Sequence, residues 1–464
     1  MSTLLTAPRE VEQRHTAATK ESISQRLRNF INPFDTRFEE MRSGDWLRVA
    51  IRDTSAGLLV AMMAIPMAMG FAIASGLRPE HGILAGAIAG LVGALFSGSK
   101  YNVYGPVAAL IPTIAAIMDA YKTADDPFAG HGFLVLICMC SGPMLMVIGL
   151  LGWGKIGNMV PHSVVVGFSA GIAVTIAMTQ LGEVLGFKAA LTGGFFEKLR
   201  TISENIGQAN GSAMFLGLLT FMMTRSLLSI SIYIPAPLLA IGVGTLLSST
   251  IFSNDGLSLI MTKYGKIPTD FLVISPPRLP SWDVAVLGDL ALYSLAFAFV
   301  CGFESLLAAR MADRLADNRG TPYNPNKEFW GQGLIQTLVP MLNGMPLSGA
   351  LARTATNIKA GALTPLAGIM KCILKLALVW FLAHYLELVP MACIGGILMW
   401  VAFNMVKPTE IKQVWAHNWF HAGLMIYTAL MVVFASFLTG VLSAMVIYGL
   451  LRRFLDKTAT PASA

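Results

Sequence analysis

Charge is what this chain lacks. Only 13% of its 464 residues are Asp, Glu, Lys or Arg, roughly half the share usual in a soluble domain. Hydrophobic residues make up 55%, and mean hydropathy is +0.64. That balance excludes a water-soluble fold and points to a protein buried in lipid. Cysteine is scarce too. Cys138, Cys140, Cys301, Cys372 and Cys393 all lie inside apolar stretches, where free thiols pack as small hydrophobes. The spacing of Cys138 and Cys140 matches no zinc pattern, and no second cluster accompanies them. A glycine-rich nucleotide loop and a G-x-S-x-G elbow are both missing, so an ATP-driven pump or a hydrolase finds no support. The expectation is no enzyme, no cofactor and no bound metal. The net charge of +7 comes mostly from cations flanking apolar runs, with no basic stripe interleaved with aromatics; nucleic acid is not an expected partner. The first fifty residues are polar and mixed in charge, and the first apolar run begins near Ala56. That is not the pattern of a cleavable signal peptide.

What remains is a succession of apolar runs, each about 20 residues long where it crosses fully. They fall near 54–75, 81–98, 104–119, 130–153, 162–182, 211–230, 235–252, 285–309, 328–343, 349–361, 364–385, 389–406, 418–437 and 438–453. The fold class expected is an all-α, multi-pass membrane protein of fourteen segments. The third and tenth are too short to cross alone, and the last two abut. The loops after even-numbered spans carry Lys100, Lys155, Arg225, Arg310, Arg314, Arg319, Lys327, Lys407 and Lys412, while the loop after the third carries Asp119, Asp125 and Asp126. This is the positive-inside pattern. It puts both termini in the cytoplasm of a plasma membrane of the bacterial inner type, with Arg452, Arg453 and Lys457 in the last tail and the loop 253–283 outside. Residues 1–53 read as a cytoplasmic tail, 54–453 as the transmembrane domain and 454–464 as a short tail. Within the tail, Arg26–Ile31 and Trp46–Val49 have the make-up of short amphipathic helices lying on lipid.

Ser348–Gly361 is anomalous: small, polar and cationic, deep in an apolar chain. Irregular backbone at membrane depth persists only against protein or a watery cavity. A short helix starting near Gly349 would aim unpaired amides and the positive end of its dipole into that cavity, and anions bind such helix starts. The first half of the chain echoes it. Phe96-Ser97-Gly98-Ser99 leads to Tyr104-Gly105-Pro106-Val107-Ala108, as Leu342-Asn343-Gly344-Met345-Pro346 leads to Ser348-Gly349-Ala350. Seven segments in each half, about 54–252 and 285–453, would invert the second repeat relative to the first. Paired interrupted segments of this kind mark a transporter's central site, against the plainer reading of chance likeness between Gly-rich membrane segments.

Few ionisable side chains lie inside the spans. Glu304 is one, and an ionised carboxylate at membrane depth costs about 2.5–3.5 kcal/mol on insertion scales. It suits a proton carrier, or else a pair holding two helices in register. Arg353, one turn after Gly349, either faces the cavity or reaches toward the interface. Lys359 is placed for snorkelling. Lys371 and Lys375, four apart, either line a watery path or pair with acids on a neighbour. His162 reads as a helix start and His384 with Glu387 as a rim pair. Asp313 and Asp317 read as solvated partners of Arg310, Arg314 and Arg319. Met62, Met63, Met67 and Met69 read as packing.

Several motifs, in order, resemble the sulfate permease (SulP) anion transporter family. Ala64–Ala72 with Ala74–Gly82 resembles its first signature, and Gly105-Pro106-Val107-Ala108 its third-span motif. Phe303–Leu307, Asn326–Gly333 and Arg353–Gly361 resemble its second-half core. The resemblance runs over about residues 50–453. It implies two inverted repeats of seven segments, divided into a mobile core and a gate, moving as an elevator. The anion would sit between the facing starts of the third and tenth helices. By position, the substrate-binding residues would be Phe71 from the first span, Tyr104, Gly105 and Ala108 from the third, and Ser348, Gly349, Ala350 and Leu351 from the tenth, with Arg353 behind them. Glu304 matches an acidic position that some members use for ion coupling. Three departures stand out. Met67 replaces a glutamine common in the family. Leu351 replaces the threonine of sodium-coupled bicarbonate members, which favours a proton over sodium as the coupling ion. Most members continue into a STAS domain after the last span; this sequence stops at Ala464, and either the protein lacks that domain or the sequence is truncated.

The resulting expectation is a symporter of a small inorganic or carboxylate anion: sulfate, bicarbonate or a dicarboxylate. Apolar Met67 and Leu351 argue mildly against strong dehydration of a doubly charged ion. Sodium-coupled bicarbonate uptake and anion exchange are the near alternatives. A nucleobase transporter of the same architecture, or a voltage-responsive membrane protein that carries no flux, are the distant ones. Membrane lipid and a second copy of the chain, as a homodimer, are the remaining expected partners.

Overall fold

The computed structural model describes residues 22–455, apart from 43, 155–159, 189–190, 192, 272 and 436. Residues 1–21, Lys155, Lys457 and the tail 456–464 lie outside the described residues. The chain opens with α1 (Ile23–Ile31), a 3-10 turn (Thr36–Phe38) and α2 (Glu39–Arg42), then enters α3 (Trp46–Ala74) and α4 (Pro79–Phe96). Strand β1 (Tyr104–Gly105), a 3-10 turn (Ala108–Leu110) and α5 (Ile111–Ala120) follow, then α6 (Gly130–Leu151), α7 (His162–Val184), α8 (Phe195–Asn205), α9 (Gly211–Ile230) and α10 (Ala236–Thr250). The second half runs α11 (Ile260–Tyr264), α12 (Val284–Leu315), α13 (Pro325–Met341), β2 (Ser348–Gly349), α14 (Leu351–Lys359), α15 (Leu366–Glu387), α16 (Met391–Met405), α17 (Pro408–His417), α18 (Trp419–Phe434) and α19 (Phe437–Leu455).

Among the described residues, eight stretches are long and apolar enough to cross a membrane, and four shorter helices are apolar. Helices α13 and α14 carry the most polar residues at depth; Lys327, Glu328, Gln332, Gln336, Arg353, Thr354 and Asn357 are all buried. Lipid punishes polar side chains without partners, so these helices must lie inside the bundle. The order long helix, long helix, strand with short helix, long helix occurs twice, as α3–α6 and as α12–α15. The copies interlock: α6 packs on α13, and α15 packs on α4 and α3.

At the crossing, β1 and β2 pair antiparallel, Tyr104 opposite Gly349 and Gly105 opposite Ser348, and Ala350 N–H donates to Val103 O at 2.8 Å. Antiparallel pairing sends the two short helices off in opposite directions from one point. The loops before the strands are buried, so their polar groups need partners. Residues 97–102 are held by Glu328. In the other loop, Gln332 Nε2 donates to Leu347 O at 2.7 Å, and the ring nitrogens of His81 and His131 meet the carbonyls of Asn343 and Gly344.

Two expectations about the tail are corrected. Trp46–Val49 is not a separate surface helix but the first turn of α3, because no breaker separates it from the apolar run. Helix α1 is amphipathic but lies on protein: Phe30 is buried 6.0 Å from the Trp330 ring, and Arg26 donates to Leu150 O. Arg37 and Lys327 both pair with Asp35, Arg37 also donates to Leu95 O, and Lys100 pairs with Glu40. Residues 23–42 thus pack on the bundle as a helical cap. Nor is Asp313 a partner of the arginines. It accepts from Asn318 Nδ2 and Tyr323 N–H, because the turn after α12 folds back over it; Asp317 does pair with Arg319.

Candidate functional site

The strand pair organises the site. Neither the turn at Ala108, nor α5, nor α14 has a side-chain cap. Their first-turn amides therefore keep free donors, and the dipoles make both starts electropositive. Both starts lie within a few residues of the crossing, so their fields add in one place. Ala108 and Ala350 are buried and Leu351 half-buried, which leaves backbone as the polar surface there.

The side chains expected around this point divide into groups. Phe71 belongs to the same buried apolar cluster as Tyr104 and Ala108. Ser348 Oγ donates to Glu304 Oε2 at 2.5 Å, so the carboxyl of α12 is tied to β2. Arg353 is buried, and its guanidinium reaches across the crossing to donate to Pro106 O. It passes Gly105 so closely that a Cβ there would sit 2.6 Å from Nη1. Gly349 is similarly tight, its absent Cβ 2.7 Å from Asn102 Nδ2. Tyr104 lays its ring on Gly93 and donates its hydroxyl to Glu328 at 2.7 Å, which leaves its backbone at the strand crossing. Glu304 and Arg353 are not an ion pair; Glu304 is bonded to β2 of its own half, while Arg353 reaches across to the residue after β1.

Sequence reasoning missed two elements and left a third open. Glu328 is buried and accepts six hydrogen bonds: Ser97 Oγ, Gly98 N–H and Ser99 N–H on Oε2, and Asn102 Nδ2, Tyr104 OH and Ser305 Oγ on Oε1, at 2.6–3.1 Å. It knots α4, β1 and α12 to α13. Thr354 Oγ1 accepts from Val103 N–H and donates to Asn102 Oδ1, clamping α14 onto the approach to β1. The lysines of α15 pair with no acid among the described residues; both are buried, and Lys371 Nζ donates to Tyr104 O at 2.8 Å. A signal was available for these two. Lys371 and Lys375 are four apart, and so are the α4 glycines they lie against, Gly90 and Gly86.

Among the described residues no group of three metal-binding side chains occurs. A cavity of about 240 Å³ lies beside α5, lined by Thr113, Thr175, Lys198, Tyr293 and Thr439 among others. It approaches the site helix but does not include the crossing.

A bundle of apolar helices enclosing two converging, uncapped helix starts defines a multi-pass membrane transporter. The sulfate permease family matches over residues 51–429, and the chain belongs to that family. It is 33% identical over 427 residues to the putative sulfate transporter YvdB of Bacillus subtilis, covering 91% of this chain and 77% of that one. It is 27% identical to the bicarbonate transporter BicA of Picosynechococcus, covering 78% of this chain and 62% of that one. These relatives are named as transporters, not enzymes. The fold matches the transmembrane domain of a cyanobacterial bicarbonate transporter BicA with a TM-score of 0.75 at 24% identity, over 89% of this chain and 99% of that chain. SLC26A9 matches with a TM-score of 0.78 at 17% identity, over 95% of this chain and 72% of that chain.

Proposed function

We propose that the protein is a secondary active transporter of small anions, bound between the starts of α5 and α14 and coupled to protons through Glu304. The observation that carries this reading is the β1–β2 pair, which brings two uncapped helix starts to one buried point. Anions bind such starts through backbone N–H groups, and Arg353 adds positive potential from the far side. Relatives named as sulfate and bicarbonate transporters give the substrate range. Gly105, Ser348, Gly349, Ala350, Leu351 and the backbone of Tyr104 form the walls, with Phe71 and Ala108 closing the apolar side. Glu304 is the carboxyl tied directly to a site strand, which suits a group whose protonation is read by the strand's position. Met67 and Leu351 offer no oxygen to a sodium ion.

Counting α13 and α14 with the twelve apolar helices gives fourteen segments in two inverted repeats. α3–α6 with α12–α15 form the core that moves, and the remaining helices form the gate, in an elevator cycle. Both termini lie on the cytoplasmic side of the inner membrane, and the gate is the surface for a homodimer and for lipid. The test is uptake of labelled bicarbonate, sulfate and succinate into proteoliposomes under separate proton and sodium gradients. One anion driven by protons alone is expected, and Glu304→Gln should abolish the gradient dependence. Uptake by Glu304→Gln that stayed fully dependent on the proton gradient would remove Glu304 from coupling. Uptake driven by sodium would mean that a cation site forms without the threonine.

A further inference from the structure

Three buried cations converge on one short piece of backbone. Arg353 donates to Pro106 O, and Lys371 donates to Tyr104 O. Lys375 Nζ sits beside Gly86, whose absent Cβ would also touch Pro106 Cδ at 3.5 Å, and it has no hydrogen-bond partner among the described residues. Lys375 is fully buried (0% exposed) and Lys371 nearly so (2%). The helix facing them is shaped to admit them: a Cβ on Gly86 would lie 2.5 Å from Lys375 Nζ, and one on Gly90 would lie 2.6 Å from Lys371 Cε.

A buried lysine without a counter-charge is costly to keep charged, and it holds its proton only where something of opposite sign arrives. The protein does not supply it. Glu328 is saturated by its six donors, Glu304 is bonded to Ser348, and Asp53 is bonded by Leu363 N–H, Thr364 N–H and Thr364 Oγ1. No carboxylate reaches ion-pair distance of Arg353, Lys371 or Lys375 among the described residues. A packing role alone does not account for the ammonium, since methionine fills the same space without a charge.

We infer that Lys371 and Lys375 form a cationic wall behind β1 that makes the site selective for doubly charged anions, sulfate or a dicarboxylate, over singly charged ones. This rests on the anion-transport reading above and deepens it. Lys371 also carries a backbone carbonyl, so Lys375 is the cleaner probe: its charge acts on the anion through the field. It is a specificity-determining residue that need not touch the substrate. A charge acting across about one helix diameter (~10 Å) in a medium of effective dielectric about 20 changes affinity roughly tenfold for each unit charge on the ligand. A dianion feels the square of that factor. The apolar Met67 and Leu351, taken from sequence as weighing against a dianion, are outweighed because charge in this wall acts at range while a missing side-chain contact acts only locally.

The experiment measures the KM for sulfate and the inhibition constant of bicarbonate in proteoliposomes of the full chain, wild type against Lys375→Met. The expected result is a loss of about a hundredfold for sulfate and about tenfold for bicarbonate, with Lys375→Arg restoring the ratio. An equal loss for both ions, or no loss, overturns the inference while leaving anion transport intact. A wild type that carries bicarbonate but neither sulfate nor succinate overturns it too. A wild type that carries none of the three sinks the transport reading and this inference with it. Should Lys375→Met fail to assemble, Lys375→Gln is read by sulfate-induced against bicarbonate-induced thermal stabilisation, with the same outcomes deciding.

Discussion

Replacing Glu328 by glutamine changes one oxygen to an NH₂ and should unfasten the crossing. Its two oxygens accept six hydrogen bonds, three each. The amide nitrogen cannot face the Oε2 side, because Gly98 N–H and Ser99 N–H are fixed donors. It must turn to the Oε1 side, where the Tyr104 and Ser305 hydroxyls can rotate to accept it and the Asn102 amide can flip. All six bonds also lose the charge on their acceptor. Bonds to a charged group contribute about 1.5–3 kcal/mol and neutral ones about 0.5–1.5. The loss is therefore about 1 kcal/mol per bond, about 3–6 kcal/mol in all once the hydroxyls re-orient. Glu328→Asp, one methylene short, should do no better, since it cannot reach both sides. The assay is thermal unfolding of purified protein beside anion uptake: Glu328→Gln should melt several degrees lower and lose uptake. A variant with the wild-type melting temperature would refute the idea that this knot holds β1 in place. One that melted normally but lost uptake would move Glu328 from a structural role to a transport role.

Two further perturbations test the same reasoning elsewhere. Gly93→Ala puts a Cβ 2.1 Å from Tyr104 Cδ2; the ring must shift and pull its hydroxyl off Glu328. Overpacking of about 1–3 kcal/mol plus the lost bond predicts about 3–6 kcal/mol of destabilisation, seen as poor yield and a lowered melting temperature, and a normal melt would mean the ring has room to yield. At the cap, burial alone would raise the pKa of Asp35, but Arg37 and Lys327 hold it below the ordinary 3.8. A lowered carboxylate stabilises the docked cap above that ordinary value and loses its effect as pH falls through the lowered one. Hydrogen exchange over residues 23–42, corrected for intrinsic rates, should therefore stay flat down to about pH 5 and rise below 3.8. Asp35→Asn should raise it at neutral pH about fivefold, the equivalent of about 1 kcal/mol after allowing for solvent screening. Exchange insensitive to both would show that Phe30 and Trp330 hold the cap without the ion pairs.

The membrane class, most of the spans and the position of the odd segment were legible in the residues, because lipid imposes long uncharged runs and tolerates irregular backbone in few places. The short helices announced themselves in the same way, as polar and glycine-rich pieces where an apolar run was due. Glu304 and Arg353 stood out for the same reason. Tertiary structure decided the rest. Two-residue strands carry no period that could foretell Tyr104 pairing with Gly349. The partners of Glu328 lie as far as 231 residues away, so its six bonds exist only once α4, β1, α12 and α13 meet. The side-chain direction of Tyr104 follows from that knot. Lys371 and Lys375 looked like a solvent path or a pair of ion pairs until packing set them against Gly90 and Gly86. Sequence decides which side chains are too expensive to leave in lipid; the folded bundle chooses which group meets each of them.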